Sequence, residues 1–486
     1  MPRRIVRAHH ANGEALRRGI SAIQAEIDVS PDFPVEVEAA AAHAAQNPKL
    51  PEVDRTDIPF VTIDPATSMD LDQALHIERS DDSPAGSGRP GGYVVHYAIA
   101  DVAAFVEPGG AIDVEASKRG ETLYGADSKI PLHPKVLSED AASLLPGQVR
   151  PAMLWTLRLD GSGEGIAANV ERALVRSRAK LDYESVQRAV DAGTADPMFT
   201  LLREVGELRL AREAARGGIS LPLPEQQILI EGDIWSLGFR SMLPVEEWNA
   251  QISLLTGMAA ASLMVYAGTG LLRTLPPPAA RDIARLHRTA QALSIEWPAE
   301  QLYPDFIRSL DPTRPSHAAM VLSCTKLLRG AGYVGFHDAV PEQPLHSALA
   351  SEYAHVTAPI RRLVDRYALE ICVALCAETE VPSWVLERLP ELPRTMQESG
   401  RKAAAYEGSL LALLEAAVLS PHTGKTFAGV VVALANEEET KGEVVIHEPA
   451  IETTVTATRK LRLGTDVTLR LAEADVASRR VRFELV

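Results

Sequence analysis

The order of hydrophobic and polar positions divides the chain into four parts. Before residue 50, the alanine-rich run VEVEAAAAHAAQ ends at Asn47-Pro48 and predicts a helical segment. From about 55 to 176, apolar runs such as PFVTID, ALHIERS, YVVHYAIADVAAFV and WTLRLD predict strands. The polar, glycine-rich stretch 80–92 among them is typical of a surface loop.

Helices are predicted from about 180 to 420. One of them has recognisable ends: Asp196-Pro197 is a typical N-cap and first helical position, and Gly217-Gly218 ends the helix. Apolar residues at helical spacing predict further buried helices over 246–268, 363–378 and 396–418.

The last part of the chain has a different pattern. After Gly424, five short β-runs with polar turns occupy about 60 residues. This number and spacing of strands is typical of a small barrel of OB type.

Composition limits the classes of protein that this pattern fits. The 486 residues include 49 Lys+Arg against 65 Asp+Glu, a formal net charge of −16. An acidic balance argues against binding nucleic acid through overall charge, but it leaves room for a local basic groove or for a metal that offsets carboxylates. No apolar run approaches the ~18–20 residues that cross a bilayer, so we expect no membrane span.

The cysteines indicate the redox compartment. Cys324, Cys372 and Cys376 form no CxxC pair and cannot build a disulfide framework. The run ICVALC around the last two favours core packing over metal or redox chemistry. The basic N-terminus lacks the apolar stretch of a secretory signal, so we expect a reducing, cytoplasmic setting.

Three carboxylates occur within nine residues after an apolar run. Asp64 ends that run, and Asp70 and Asp72 lie on one side if 69–72 is extended. Converging carboxylates repel one another unless a cation lies between them. Oxygen ligands suit Mg²⁺ or Mn²⁺, which activate water for attack on phosphodiesters. A solvated acidic loop is the alternative.

The second informative segment is YAHVTAPIRR, residues 353–362. Pro359 predicts the beginning of a helix, with Arg361 and Arg362 in its first turn. Cations are unfavourable at that end of the helix dipole, so they suggest an anionic partner such as phosphate. Ion pairs with the abundant acidic residues are the alternative.

Together, the two segments resemble the two signatures of the RNase II/RNase R family of 3′→5′ exoribonucleases, whose catalytic module is the RNB domain. The intervening runs HYAIADV, GETLY, IPLHP and LSED are similar to the family in order and spacing. The resemblance covers about residues 55 to 380 and continues in the C-terminal β-runs.

The resemblance implies an α+β fold. A mixed β-sheet surrounded by helices would enclose an RNA channel, and an OB-type barrel would follow. The implied domains are a basic helical segment (1–50), the RNB catalytic domain (51–420) and an OB-like RNA-binding domain (424–486). We expect a cytoplasmic monomer that hydrolyses single-stranded RNA to 5′-mononucleotides with bound Mg²⁺, or with Mn²⁺ as the alternative, away from any membrane.

Position by position, the resemblance also implies roles. Asp64, Asp70 and Asp72 match three of the family's four active-site aspartates, which bind the metal. Arg361 matches the arginine that contacts the scissile phosphate, and the adjacent Arg362 is expected to bind RNA.

Aromatic and acidic residues are implied less directly. Tyr124 matches the aromatic residue that stacks on a 3′-terminal base, with a half-buried structural tyrosine as the alternative. Tyr183 matches, less closely, the position of the family's second active-site tyrosine, and we expect it to bind RNA. Glu246-Glu247 resembles an acidic pair near the pocket or is ordinary charge at a helix start, and the sequence does not show which glutamate faces inward.

Two departures from the family leave alternatives open. Gln73 stands where the fourth aspartate is expected, which favours, as one alternative, a catalytically weakened RNA-binding protein. The region before residue 50 has no room for tandem cold-shock domains, which favours a specialised nuclease that trims tRNA or other 3′ overhangs. Basic residues at the N-terminus either replace part of that RNA surface or fray: Arg3, Arg4, Arg7, Arg17 and Arg18.

The C-terminal module is close to neutral, so its electrostatic attraction for RNA depends on how its charges are arranged. Its basic residues either form one face toward the RNA or are balanced by Glu437–Glu439. The cluster comprises Arg459, Lys460, Arg462, Arg479, Arg480 and Arg482.

Overall fold

The computed structural model describes residues 13–80, 91–125, 129–221, 225–231, 234–240, 242–311, 314–435, 438–446 and 451–486. Most of the predicted loop 80–92 lies outside these ranges, as do Arg3, Arg4, Arg7 and Glu437.

The helices in these ranges are α1 (Gly13–Ile27), α2 (Val35–Gln46), α3 (Ala111–Arg119), α4 (Tyr183–Asp191), α5 (Pro197–Ala215), α6 (Pro244–Ala267), α7 (Ala280–Ala292), α8 (Tyr303–Arg308), α9 (Pro315–Cys324), α10 (Leu363–Cys376), α11 (Ser383–Arg388) and α12 (Leu392–Leu419).

The strands are β1 (Val61–Ile63), β2 (Gln73–Arg79), β3 (Tyr93–Ala100), β4 (Leu123–Tyr124), β5 (Lys129–Ile130), β6 (Val149–Leu159), β7 (Gly165–Arg176), β8 (Ala179–Leu181), β9 (Glu225–Glu231), β10 (Ile234–Arg240), β11 (Gly270–Thr274), β12 (Gly332–Phe336), β13 (Leu345–His346), β14 (Ser351–Glu352), β15 (Thr426–Leu434), β16 (Lys441–Ile446), β17 (Ile451–Thr456), β18 (Asp466–Asp475) and β19 (Arg480–Leu485).

A six-stranded mixed sheet forms the centre of the larger domain. Its order is β7-β6-β3-β2-β1-β8, and β1 and β8 run parallel while the other pairs are antiparallel. The apolar run YVVHYAIADVAAFV, which includes β3, was predicted to be strand, but the strand ends at Ala100. There Asp101 is buried and forms an ion pair with Arg172, and a short helical turn follows.

Both faces of this sheet are covered, which explains why β3 is buried along nearly its whole length. On one face, Tyr97 and Trp155 pack with residues of α5, α6 and α10. On the other face, Ala98 and Leu154 pack with α2 and with Leu71 of the loop between β1 and β2. The prediction of a mixed sheet surrounded by helices is confirmed.

The helix α1 packs along α12. Ile20 and Ile23 are buried against Leu410 and Leu413, and the same cluster includes Leu123 and Ile130 of the β4–β5 hairpin. The N-terminal helix therefore supports a hairpin that lies beside the candidate active site.

The C-terminal strands form the predicted barrel. They are all antiparallel in the order β17-β16-β15-β18-β19, and β17 approaches β19, so the barrel is nearly closed. Several charges of the basic cluster are paired: Arg479 with Glu26 of α1, Lys460 with Glu439, and Arg482 with Glu484. The pairing favours a balanced surface over one basic face.

Two helices bear on the expectation that nothing in the chain could span a membrane. By length and composition alone, Pro244–Ala267 and Leu392–His422 are apolar enough to do so, so the sequence expectation was wrong on that criterion. In the fold, each helix buries residues such as Ile252 and Leu414 against neighbouring elements, which is typical of core helices in globular domains.

Cys324 and Cys372 are buried as free thiols, as expected from core packing.

Candidate active site

The three aspartates lie in the loop that joins β1 to β2. Ser143 fixes the backbone of this loop with two hydrogen bonds: its hydroxyl donates to the Met69 carbonyl (2.7 Å) and accepts from the Leu71 N–H (3.0 Å). Leu71 is fully buried, so the loop is anchored between the two acidic residues beside it. The side chains of Asp70 and Asp72 are only 9% and 5% exposed. The alternative of a solvated acidic loop is therefore wrong.

Asp72 is the most enclosed of the three carboxylates. Its Oδ1 accepts the Ile360 N–H at 2.8 Å, and its Oδ2 lies 3.3 Å from Nε of Arg361. Burial nevertheless raises the pKa of Asp72 to about 8, because desolvation outweighs the opposing effects of Arg361 and the Ile360 N–H.

Asp64 is half-buried, and within the described residues its carboxylate has no hydrogen-bond partner. Burial raises the pKa of Asp64 to about 7, with a further contribution from the charge of Asp70, while Arg361 and Lys180 oppose the shift. At Asp64 and Asp72, the nearby positive charges are therefore too weak to offset the cost of burying the ionised carboxylates.

Asp70 has a cationic neighbour that the sequence reasoning missed. Lys129 Nζ lies 2.7 Å from Asp70 Oδ1 and 3.1 Å from Glu139 Oε1. The Ser68 hydroxyl also donates to Asp70 Oδ1, at 3.1 Å. Lys129 comes from β5, far from the loop in sequence, and no local pattern indicates this contact.

The two arginines do not lie in the first turn of a helix. The segment 359–361 is a turn, and α10 begins at Leu363 with an extended Arg362 before it. Instead, this backbone pairs with residues 120–122: the Thr122 N–H donates to the Arg361 carbonyl and the Leu363 N–H donates to the Gly120 carbonyl, both at 2.9 Å. Asp365 closes the turn, because its Oδ1 accepts the Ala358 N–H at 2.7 Å. The prediction of a helix that begins at Pro359 was therefore wrong. Both arginines nevertheless lie against carboxylates, Arg361 against Asp72 and Arg362 against Asp365.

Arg361 and Arg362 have different partners. Arg361 faces Asp72 and is 42% exposed, so its guanidinium remains accessible. Arg362 binds both oxygens of the fully buried Asp365, at 2.8 and 2.9 Å, and its pKa is raised by that carboxylate. The structure thus gives Arg362 a role in holding the turn, and its expected contact with RNA stays a prediction.

Gln73 is enclosed by hydrogen bonds. The buried Tyr97 hydroxyl donates to its Oε1 at 2.6 Å, and its Nε2 donates to the Thr357 carbonyl at 2.6 Å. The Tyr97 hydroxyl also lies 2.8 Å from Ser253 Oγ. Gln73 thus ties β2 to the arginine turn through an N–H that an aspartate could not supply.

Tyr124 lies at the edge of the same centre. It is 54% exposed on β4, directly opposite Lys129 in the hairpin. Arg361, Asp70 and Asp72 are close enough to influence the pKa of Tyr124, which burial raises. The ring is therefore both accessible and adjacent to the carboxylates.

Tyr183 begins α4, whose N-cap Asp182 accepts the Ser185 N–H. Its hydroxyl accepts from Asn249 at 3.1 Å, and burial together with the charge of Asp64 raises its pKa to about 12.

Of the acidic pair on α6, Glu246 is buried and binds Arg240, whereas Glu247 is exposed. Glu246 is thus the inward member, and its charge also reaches Tyr183.

The side chains of this centre have the oxygen donors that a divalent metal ion prefers. Asp64 and Asp72 offer hard oxygen ligands and have raised pKa values, which a nearby divalent cation would lower. Over the ranges that the structure describes, no three His, Cys, Asp or Glu side chains are already arranged to hold a metal. Asp70 is the one turned to another cation, Lys129.

Family models match most of the chain. The RNB domain model matches residues 52–377, and the RNase II-type exonuclease C-terminal S1 domain model matches residues 425–486. The first range contains the aspartates, Tyr124, Tyr183 and both arginines.

Curated relatives are distant in sequence and longer. The chain is 28% identical over 344 residues to the exosome complex exonuclease RRP44 homolog A of Arabidopsis thaliana, covering 68% of this chain and 36% of that protein. It is 25% identical over 415 residues to ribonuclease R of Mycoplasma genitalium, covering 79% of this chain and 54% of the relative. The chain thus spans about a third to a half of these proteins.

Solved structures show the same fold. Mycoplasma genitalium RNase R in complex with ribose-methylated single-stranded RNA aligns with a TM-score of 0.85 at 20% identity, over 97% of this chain and 78% of that one. Yeast Ssd1, described as a pseudonuclease, aligns with a TM-score of 0.67 at 16% identity, over 90% of this chain and 55% of that one.

The raised pKa values lead to a prediction about stability. A carboxyl group with a pKa higher in the folded than in the unfolded state binds more protons when folded, so stability falls as pH rises from about 4 toward 8. In EDTA at pH 8, we expect Asp72→Asn to raise the thermal midpoint by about 2–4 °C, the shift that ~1 kcal/mol produces in a large domain. At pH 5 the difference should shrink.

Thermal unfolding followed by circular dichroism at both pH values measures this. Asp338→Asn is the matched control, because Asp338 is exposed and distant from these carboxylates in the chain. A lower midpoint for Asp72→Asn at pH 8 would mean that the pair with Arg361 outweighs the cost of burial.

Proposed function

The chain belongs to the RNB domain family, and on that premise we propose that it is a 3′→5′ exoribonuclease which hydrolyses single-stranded RNA to 5′-mononucleotides. The observation that carries this proposal is the meeting of Asp64 and Asp72 with an accessible Arg361 beside an exposed Tyr124. Buried carboxylates, a reachable guanidinium and an open aromatic ring are the groups that hydrolysis at the end of an RNA chain requires.

Two residues would hold the substrate. Tyr124 presents an aromatic face on which any base can stack, which suits a nuclease without sequence preference. Arg361, kept in place by the turn that Asp365 closes, would donate to oxygens of the scissile phosphate and offset the charge that develops there. The RNA-bound structure of the Mycoplasma genitalium relative supports single-stranded RNA as the ligand.

The carboxylates would bind Mg²⁺ or Mn²⁺, which when bound lowers the pKa of a coordinated water and so supplies hydroxide at neutral pH. Asp72 is oriented for this by the Ile360 N–H, which fixes one of its oxygens. Asp64 follows β1 directly, and its backbone N–H is bound to the Leu181 carbonyl, so its position is set by the central sheet.

We also propose a monomer in the cytoplasm. The three cysteines are free thiols, which is compatible with a reducing compartment.

Digestion of a 5′-labelled, unstructured RNA of about 30 nucleotides tests the activity. With Mg²⁺ we expect a ladder that shortens from the 3′ end, and we expect EDTA or Asp72→Asn to abolish it. Asp338→Asn should behave as the wild type. Losing a carboxylate of this kind removes a charge that the transition state needs, so the rate should fall by at least about 100-fold.

Other outcomes point to different functions. RNA that stays intact but shifts in a gel would contradict the proposal, and if Gln73→Asp then restored cleavage the protein would be a weakened RNA-binding relative of the nucleases. A ladder that stops after removal of a short 3′ overhang would instead indicate a specialised trimming enzyme.

The stacking role of Tyr124 is tested separately. Base–aromatic stacking contributes ~1–3 kcal/mol per base, so Tyr124→Ala should raise KM for a short single-stranded RNA by about 5- to 150-fold. Tyr124→Phe keeps the ring and should stay close to the wild type. Tyr266, which is 97% exposed on α6, provides the control Tyr266→Ala. Equal losses in the Phe and Ala variants would assign the effect to the hydroxyl and contradict stacking.

A further inference from the structure

The ammonium group of Lys129 lies between two carboxylates at the edge of the candidate active site. It is 2.7 Å from Asp70 Oδ1 and 3.1 Å from Glu139 Oε1, and all three side chains are largely buried. An ion triad in such surroundings is screened little by solvent, so it has a strong influence on any other ion that approaches Asp70.

The fold holds this lysine in place. Lys129 pairs with Tyr124 across the β4–β5 hairpin, and its neighbour Ile130 is buried against α1 and α12. Glu139 comes from the short helical segment Leu137–Ala141, whose Leu137 is buried beneath the central sheet. The ammonium is therefore a built part of the centre and not a mobile surface charge.

Gln73 also limits the number of side-chain oxygens that could bind a cation at this centre. Its side-chain oxygen already accepts from the Tyr97 hydroxyl, and its amide nitrogen donates to the Thr357 carbonyl. The position after Asp72 thus contributes neither a negative charge nor an unoccupied oxygen.

Building on the proposed function, we propose that Lys129 supplies at Asp70 the positive charge that a second divalent cation supplies in two-metal nucleases. This centre would then bind one divalent cation, through Asp64 and Asp72. In two-metal sites the ions lie about 3.5–4 Å apart and share carboxylates. A second ion bound to Asp70 would meet the ammonium within a similar distance and be repelled by it.

Counting Mn²⁺ ions tests this inference without relying on activity. Electron paramagnetic resonance measures the free Mn²⁺, and subtracting it from the total gives the number of ions bound per protein. Ions that are bound by the wild type but lost in Asp72→Asn are assigned to this centre. We expect one such ion in the wild type and in Lys129→Arg. Lys129→Met should gain a second ion, which Lys129→Met combined with Asp70→Asn should lose again.

Lys118→Met is the matched control, since Lys118 pairs with Glu115 on the exposed side of α3. It should bind one ion at the centre. Two ions at the wild-type centre, or a single ion in Lys129→Met that unfolds like the wild type, would overturn the inference. The wild-type count decides even if Lys129→Met fails to fold.

The RNA digestion described above, run on the same samples, separates the two proposals. A wild type that shortens RNA but binds two ions would retain the nuclease and contradict the role of Lys129. A wild type that binds one ion but leaves RNA intact would contradict the nuclease while supporting the role of Lys129. No ion bound at the centre would contradict the inference.

Discussion

The hydrogen bond from the Ile360 N–H to Asp72 joins two segments that are 288 residues apart in the chain. The site depends on this junction, because it places Arg361 against Asp72 and brings the turn before α10 to the loop between β1 and β2. Gln73 makes a second link across the same gap through the Thr357 carbonyl. Separating the two segments would remove the accessible arginine from the carboxylates and leave Asp72 buried without a donor.

This arrangement costs stability, and the surrounding fold offsets it. Burying Asp64 and Asp72 raises the pKa of each, so ionising these carboxyl groups in the folded protein costs free energy as the pH rises. Ser143 fixes the aspartate loop, and Asp365 fixes the arginine turn through Ala358 and Arg362. A two-sided core around the central sheet supports both. A bound cation, as proposed above, would reduce this cost, because it favours the ionised carboxylates.

Local pattern was sufficient for most of the helices, for most strands of the central sheet and for the barrel strands, but it missed β9–β14, which lie in the stretch 180–420 where helices were predicted. It also singled out the candidate site residues, whose roles stay predictions. The end of an apolar run at Asp64, the spacing to Asp70 and Asp72, and the run before Arg361 each reside in one short segment. Most barrel strands pair with their neighbours in the chain, although β15 pairs with β18. What could not be predicted depends on contacts between distant segments. Lys129 reaches Asp70 from the β4–β5 hairpin, and α10 begins at Leu363 because the backbone of 361–363 pairs with residues 120–122.

The proposed function requires that these buried carboxylates and Arg361 form a centre where water attacks the last phosphodiester of an RNA chain. Digestion in water enriched in ¹⁸O, with mass spectrometry of the products, tests this most directly. We expect nucleoside 5′-monophosphates released from the 3′ end, each carrying one ¹⁸O on its phosphate, and none with Asp72→Asn. Products with a 3′-phosphate or a cyclic phosphate, or no release of nucleotides at all, would contradict it.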